Sequence, residues 1–340
     1  MTADRVPLVI DTDGGVDDAA ALWYLLGCPQ VDVLGITAVW GNVGVEQAAA
    51  NVCRVLAAAG RREIPVALGA AGPTGPAPPI RRATGIHGSD GLGDCGMPAA
   101  PFGPTGEPAA EMLARLCASR SGEVVVVSLG PLSNLAHVVE GDPGWAAGVR
   151  DLVVMGGSAR RGGNALPAAE ANIGHDPLAA ALVVGATWAT PPTLVTLDAT
   201  LQATLRSAEL DLARERRTPA AAFMACPLAF YSKGGSTFSA AGTFPCHDLC
   251  AAVAVTDPEV LDARVVPLAV DTGGSAAWGM TVVDARPWQL DPSVVPAAGN
   301  DTSTAGMARW RVAFGADAAR LRAKTRQLFG DDPGAGALAR

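Results

Sequence analysis

Four aspartates fall within eight residues near the start of this chain: Asp11, Asp13, Asp17 and Asp18. Carboxylates that close repel one another and need a counter-charge. A hard cation with oxygen ligands is the simplest one. Asp17 and Asp18 alone could be first-turn helix acids favoured by the helix dipole. That reading leaves Asp11 and Asp13 unexplained, so a metal site is preferred. A fifth acid, Asp248, follows His247 just before an apolar stretch. On its own Asp248 reads as a helix cap and His247 as a bystander. Asn42, Asn164, Glu170 and Asn172 all sit just after apolar or glycine-rich runs. Asn42 alone is a common turn residue. Polar groups spaced like the last three, near a metal, suit a multiply hydroxylated ligand.

The elements around these residues place them together. Val6-Pro7-Leu8-Val9-Ile10 reads as a buried strand, Gly14-Gly15 as a turn, and Ala19 to Leu26 as a helix. The acids thus lie at the carboxyl end of a strand and in the first helical turn, where open α/β sheets bind ligands. A second strand over 31–39 ends at Trp40-Gly41-Asn42, and a helix follows over about 45–59. Further strands are expected at 123–129, ending at Gly130-Pro131, at 152–155 before Gly156-Gly157, and at 192–198. Helices are expected over 178–185 and through most of 205–232. Residues 265–270 and 280–284 read as late antiparallel strands, 304–329 as a final helix, and 331–340 as a fraying tail. This alternation predicts an α/β fold: an open, mostly parallel, doubly wound sheet with helices on both faces and a small late antiparallel extension. It fills one domain over 5–330, because the alternation resumes after the Gly/Pro loop at 72–79. The glycine-rich stretch 86–93 suits a mobile lid carrying His87, although a lone surface histidine is usually inert. Tyr231, one of two tyrosines, lies in the helical region; core packing is its default role, with the pocket as the alternative.

Composition narrows the function. With 25 Lys+Arg against 33 Asp+Glu the net charge is −8, and no basic stripe appears, which argues against nucleic-acid binding. No apolar run is long enough to span a membrane. Seven cysteines without framework spacing fit a reducing compartment, and the first strand begins at once without a signal-like segment, so the cytoplasm is expected.

The ordered motifs resemble the nucleoside hydrolase family, in its inosine-uridine-preferring branch. The Asp11-Thr12-Asp13-Gly14-Gly15-Val16-Asp17-Asp18 stretch is similar to that family's Asp-Thr-Asp-Pro-Gly-x-Asp-Asp, with Gly14 in place of proline. Gly41-Asn42, the His87 segment, Gly130-Pro131-Leu132-Ser133-Asn134-Leu135-Ala136, Met155-Gly156-Gly157, Ala169-Glu170-Ala171-Asn172 and His247-Asp248 follow in the family's order. Ala171 stands where the family usually has phenylalanine.

The resemblance implies a Ca²⁺ held by Asp13, Asp18, Asp248 and the backbone carbonyl of Leu129. It implies ribose contacts from Asp17, Asn42, Asn164, Glu170 and Asn172, with Met155 and His87 beside the substrate; Tyr231 is a further candidate there, and Asp11 reads as a supporting residue. Asp13 would take the proton of the attacking water, and His247 would protonate the leaving base. The partner is then a small ribonucleoside, and the assembly a homodimer or homotetramer.

Two other readings compete. Asp11-Thr12-Asp13-Gly14 also resembles haloacid-dehalogenase phosphatases, with Asp11 as nucleophile and Mg²⁺ as metal, but no suitable lysine follows a strand. A nucleoside-binding protein without turnover would be expected to lack either Asp13 or His247, and both are present.

Overall fold

The first strand shows how the sheet is built. In β1 (Val6–Thr12), Leu8 and Ile10 enter one apolar cluster and Val9 the other, so the strand is buried on both faces. A two-faced apolar run of this kind belongs at the centre of a parallel sheet. The structure, a computed structural model, describes residues 5–326 apart from 216–217, 236–239, 292, 298–302 and 305. The tail expected to fray, 331–340, lies outside the described residues.

After β1 come α1 (Val16–Gly27), β2 (Val31–Ala38), α2 (Val45–Ala59), β3 (Val66–Leu68), α3 (Thr84–His87) and α4 (Ala109–Ser119). Then follow β4 (Val125–Ser128), α5 (Ser133–Gly141), β5 (Asp151–Met155), α6 (Ala171–His175), α7 (Pro177–Gly185), β6 (Thr193–Val195) and α8 (Leu197–Thr200). Next are β7 (Thr204–Arg206), α9 (Ser207–Glu215), α10 (Pro219–Gly235), β8 (Thr243–Pro245) and α11 (His247–Thr256). The chain continues with β9 (Leu261–Val270), β10 (Thr281–Val283), α12 (Pro287–Leu290), β11 (Ala308–Ala316) and α13 (Ala318–Thr325).

Among the described residues the main sheet has nine strands in the order β10-β9-β11-β6-β5-β4-β1-β2-β3. All neighbours from β11 to β3 run parallel, while β9 pairs antiparallel with β10 and β11. This is the expected mostly parallel sheet with a late antiparallel extension. One apolar cluster takes in α1, α2, α10 and α11; the other takes in α4, α5 and α7. Helix α1 is buried from Val16 to Leu26, as a helix that is apolar nearly all round must be. Full burial of one such aliphatic side chain is worth about 1.5–3 kcal/mol. No helix among the described residues is long and apolar enough to cross a membrane.

Two expectations are corrected. The final helix is not one element: Ala308–Ala316 is a strand, and only Ala318–Thr325 is helical. Trp310 and Val312 are buried while Arg309 is exposed, a period of two that partner strands β9 and β6 enforce over helix-compatible local composition. The cysteines are not all reduced: Cys95 and Cys226 form a disulfide, and the other five are free and buried. The two partners are 131 residues apart, so only the tertiary fold pairs them.

The helix that bears His247 and Asp248 is anchored at its far end. Asp257, just past α11, accepts two 2.7 Å hydrogen bonds from Arg320 of α13 and faces Lys324 Nζ at 3.3 Å. Chiefly through the Arg320 bonds, its carboxyl is held below the ordinary 3.8. A lowered carboxyl value adds stability above the unfolded value, and the gain is lost as pH falls through the folded one. Asp257→Asn is therefore expected to melt roughly 2–4 °C lower at pH 7. The gap should close below about pH 4. Equal melting temperatures at pH 7, followed by circular dichroism, would refute this.

Candidate active site

Strand order reverses beside β1, which has β2 on one side and β4 on the other. Such switch points open a crevice at the carboxyl ends of the strands. β1 delivers Asp11 and Asp13 there, the Gly14-Gly15 turn follows, and α1 starts with Asp17 and Asp18. Gly14 makes this turn in the left-handed region, at φ +72°, and a Cβ there would sit 2.6 Å from the Ala48 Cα. Helix α11 packs beside α1 and supplies Asp248 from its first turn.

Carboxylate oxygens of Asp17, Asp18 and Asp248 lie within 4.8 Å of one another, and all three residues are buried. Asp18 accepts from the Thr12 hydroxyl, from Asp13 N at 3.2 Å and from Gly15 N at 2.8 Å. Asp13 lies alongside, its two oxygens accepting from Asn42 N at 2.8 Å and Asn42 Nδ2 at 2.9 Å. Asp17 Oδ2 accepts from the Tyr231 hydroxyl at 3.0 Å. Asp17 Oδ1 is buried without a hydrogen-bond partner. His87 Nδ1 is 3.7 Å from it but accepts from Val16 N at 3.2 Å, so the Nδ1 lone pair is already used.

Burial, then the Asp18 charge, pushes the Asp13 carboxyl well above its ordinary range. Burial, then the charges of Asp17, Asp18 and Asp13, does the same to Asp248. A cluster in this state fits a cation. It offers hard oxygen donors, excess negative charge, and a buried oxygen lacking a donor. Asp17 thereby joins the groups that could hold the ion, beside the expected Asp13, Asp18, Asp248 and Leu129 carbonyl.

The remaining predicted residues form an adjoining wall. A Cβ on Gly130 would fall 3.0 Å from Asp13 Cβ, so the Leu129-Gly130 turn abuts the acids. Asn172 Nδ2 donates to the carbonyls of Leu129 at 2.8 Å and Met155 at 3.1 Å. Glu170 caps α6, accepting from the N–H groups of Asn172 and Ile173, and also holds Gly157 N. Asn164 Oδ1 accepts from Ala171 N at 2.9 Å. A cavity of about 230 Å³ joins Asn164 to His247, with Leu197, Leu201 and Arg161 on its walls. His247 Nδ1 pairs with the Thr200 hydroxyl at 2.7 Å, and burial lowers its pKa.

His87 is buried, in a short helix, and stacks edge-on against Tyr231 at 5.4 Å between ring centroids. It is therefore not a surface histidine, and Tyr231 is more than core packing. Asp11 is held by its own set of side chains. Its carboxylate accepts from Thr37, Asn134 and Ser128, and burial raises its value to about 6. Occupied in this way it lacks the freedom that a phosphatase nucleophile needs.

Three further residues shape the site. Asn134 ties Asp11 to the Ala38 carbonyl and receives Ala70 N, linking three loop ends. Asn51 donates to the carbonyls of Gly14 and Asp90, joining the acidic turn to the His87 loop. Thr200 holds His247. Asn51 had one readable signal: an amide on the otherwise apolar face of α2 formed by Ala48, Val52 and Val55.

A profile of the family described as inosine-uridine preferring nucleoside hydrolase matches residues 8–323. The inosine-uridine preferring nucleoside hydrolase of Leishmania major is 36% identical over 287 residues, covering 82% of this chain and 88% of that one. The probable uridine nucleosidase 1 of Oryza sativa subsp. japonica is 34% identical over 280 residues, covering 82% and 85%. Among solved structures, the plant nucleoside hydrolase PpNRh1 superposes with a TM-score of 0.86 at 28% identity, over 96% of this chain and 100% of its own. With a match from β1 to α13 and a full-length structural likeness, this chain belongs to the inosine-uridine preferring nucleoside hydrolase family and is a ribonucleoside-hydrolysing enzyme.

Proposed function

We propose that the enzyme hydrolyses the N-glycosidic bond of inosine and uridine with Ca²⁺ at the acid cluster. The observation that carries the reading is the buried group Asp17, Asp18 and Asp248 with its unpartnered Asp17 oxygen. Asp13, Asp18, Asp248 and the Leu129 carbonyl would hold the ion together with Asp17, which also stands ready for the ribose 2′-hydroxyl. The ion, when bound, supplies positive charge that orients the sugar diol and eases removal of a proton from water.

The protein groups do the rest. Asn42, Asn164, Glu170 and Asn172 fix the ribose by its hydroxyls, while Met155, His87 and Tyr231 close around it. Asp13, fixed in orientation by the two hydrogen bonds it accepts from Asn42, takes the proton of the attacking water. The sugar gains positive charge as the bond breaks, and the carboxylates favour it. The base gains negative charge, and His247, on the cavity wall, protonates it. Water attacks opposite the leaving group, as in inverting glycosidases.

The test is an incubation with inosine, uridine and a phosphate ester, with and without EDTA, scoring free ribose and phosphate. Ribose release from both nucleosides that stops in EDTA is expected. Phosphate release, or ribose release that EDTA leaves untouched, would overturn the proposal. With Asp17 reading the 2′-hydroxyl, kcat/KM for 2′-deoxyinosine should fall about 10–100-fold below that for inosine, the scale of lost hydrogen bonds to a charged group. Equal values would remove Asp17 from that role.

A further inference from the structure

The His87 loop and α10 together cover Asp17, and one covalent bond ties them. Val16 N meets His87, Tyr231 of α10 meets both His87 and Asp17, and Gly93 is pressed against Phe230 and Pro227 of the same helix. A few residues beyond that contact Cys95 of the loop is bonded to Cys226 of α10. The placement of the thiols is selective. Cys226 is exposed and Cys95 half-buried, whereas Cys28, Cys53, Cys117, Cys246 and Cys250 are all buried. A soluble thiol therefore reaches this pair before any other cysteine.

We propose that Cys95–Cys226 is a thiol–disulfide modification site that sets how firmly the loop closes over the ribose pocket. Its co-substrate is a small dithiol or monothiol reductant. A reductant thiolate attacks the exposed Cys226 sulfur, the S–S bond breaks, and Cys95 leaves as a thiolate that takes a proton. The second reductant thiol then displaces Cys226 from the mixed disulfide. Two electrons pass to the protein pair, and the reductant ends as its own disulfide. Once reduced, the loop is held by non-covalent contacts: Asn51 to Asp90, Val16 to His87, and the packing of Gly93. It then covers Asp17 for only part of the time, and apparent affinity falls by that fraction.

The effect on catalysis rests on the proposed nucleoside hydrolysis; the strap itself does not. Wild-type enzyme is compared before and after dithiothreitol, alongside Cys226→Ser. Under denaturing conditions five thiols are expected in the oxidised protein and seven in the reduced one. Reduction should raise KM for uridine roughly tenfold, as for a loop closed about a tenth of the time, with kcat changed less. Reoxidation should reverse it, and Cys226→Ser should match the reduced enzyme and ignore dithiothreitol.

Limited trypsin cleavage after the exposed Arg81 and Arg82, at the base of the loop, should be faster in the reduced form. Seven free thiols in protein kept under air, or the same tryptic rate and KM in both redox states, would overturn the proposal. If uridine is not hydrolysed in either state, the proposed function fails while the tryptic rate still decides the strap.

Discussion

Replacing Asp13 by alanine lowers kcat for inosine and for p-nitrophenyl riboside together, by about 10²–10⁴-fold, the usual worth of a positioned general base. Both substrates need the same activated water, so a good leaving group does not rescue the variant. Asp13 is tied to Asn42 through both carboxylate oxygens, and Asn42→Ala serves as the control for lost ribose contacts. That control should raise KM more than it lowers kcat.

A second readout separates loss of chemistry from loss of structure. The Asp13 carboxyl is pushed above its ordinary 3.8 by burial and by Asp18. A raised carboxyl value is a cost to the fold at any pH above the unfolded value. Asp13→Asn in EDTA should therefore melt no lower than the parent. A lower melting temperature with unchanged kcat would make Asp13 a structural residue.

His247→Ala gives the opposite pattern. It should cut kcat for inosine by about 10²–10⁴-fold and spare p-nitrophenyl riboside, because nitrophenolate leaves without a proton. The geometry favours this assignment: His247 lines the cavity shared with Asn164, and its Nδ1 is engaged by Thr200. Nε2 remains for the base. Thr200→Ala should produce a milder version, since the ring is then less well oriented. Asp248 is the next residue, so calcium content has to match the parent before kinetics are compared. A calcium-replete variant that loses both activities in parallel would recast His247 as a positioning group. One that loses neither would pass the proton to His87 or Tyr231, which both lie against Asp17.

The parts of this molecule legible in its sequence are those written in local period and local chemistry. β1, β4 and β5 are built on apolar runs closed by glycine or a polar turn, β2 is an apolar-rich stretch ending at Trp40-Gly41-Asn42, and α2 follows its helical period from Val45 to Ala59. The acids of the first turn announce themselves by crowding. What escaped depends on partners distant in the chain. β11 has the composition of either element until β9 and β6 flank it. Tyr231 has the pocket as its second reading, but it meets Asp17 across 214 residues, so its neighbours in the chain could only favour core packing. His87 looks like an exposed loop histidine until α10 is packed over it. Asn134 and Asn51 are ordinary amides that become joints only because strand ends and loop carbonyls converge on them.

The left-handed turn at Gly14 bears on how the enzyme can be re-engineered. Stabilising a protein by restoring the commonest residue of its relatives usually succeeds, at about 0.5–2 kcal/mol per change. Here that recipe would write proline at position 14. Proline holds φ near −65°, and this backbone stands at +72°. The same carbonyl is held by Asn51, so forcing the turn the other way would drag the His87 loop with it. Gly14→Pro should therefore lower both melting temperature and kcat/KM. Nor would alanine be a gentle compromise, because Ala48 already occupies the space a methyl group would take. A library aimed at this enzyme would do better to freeze positions 14 and 48 as a matched pair and to vary them, if at all, together.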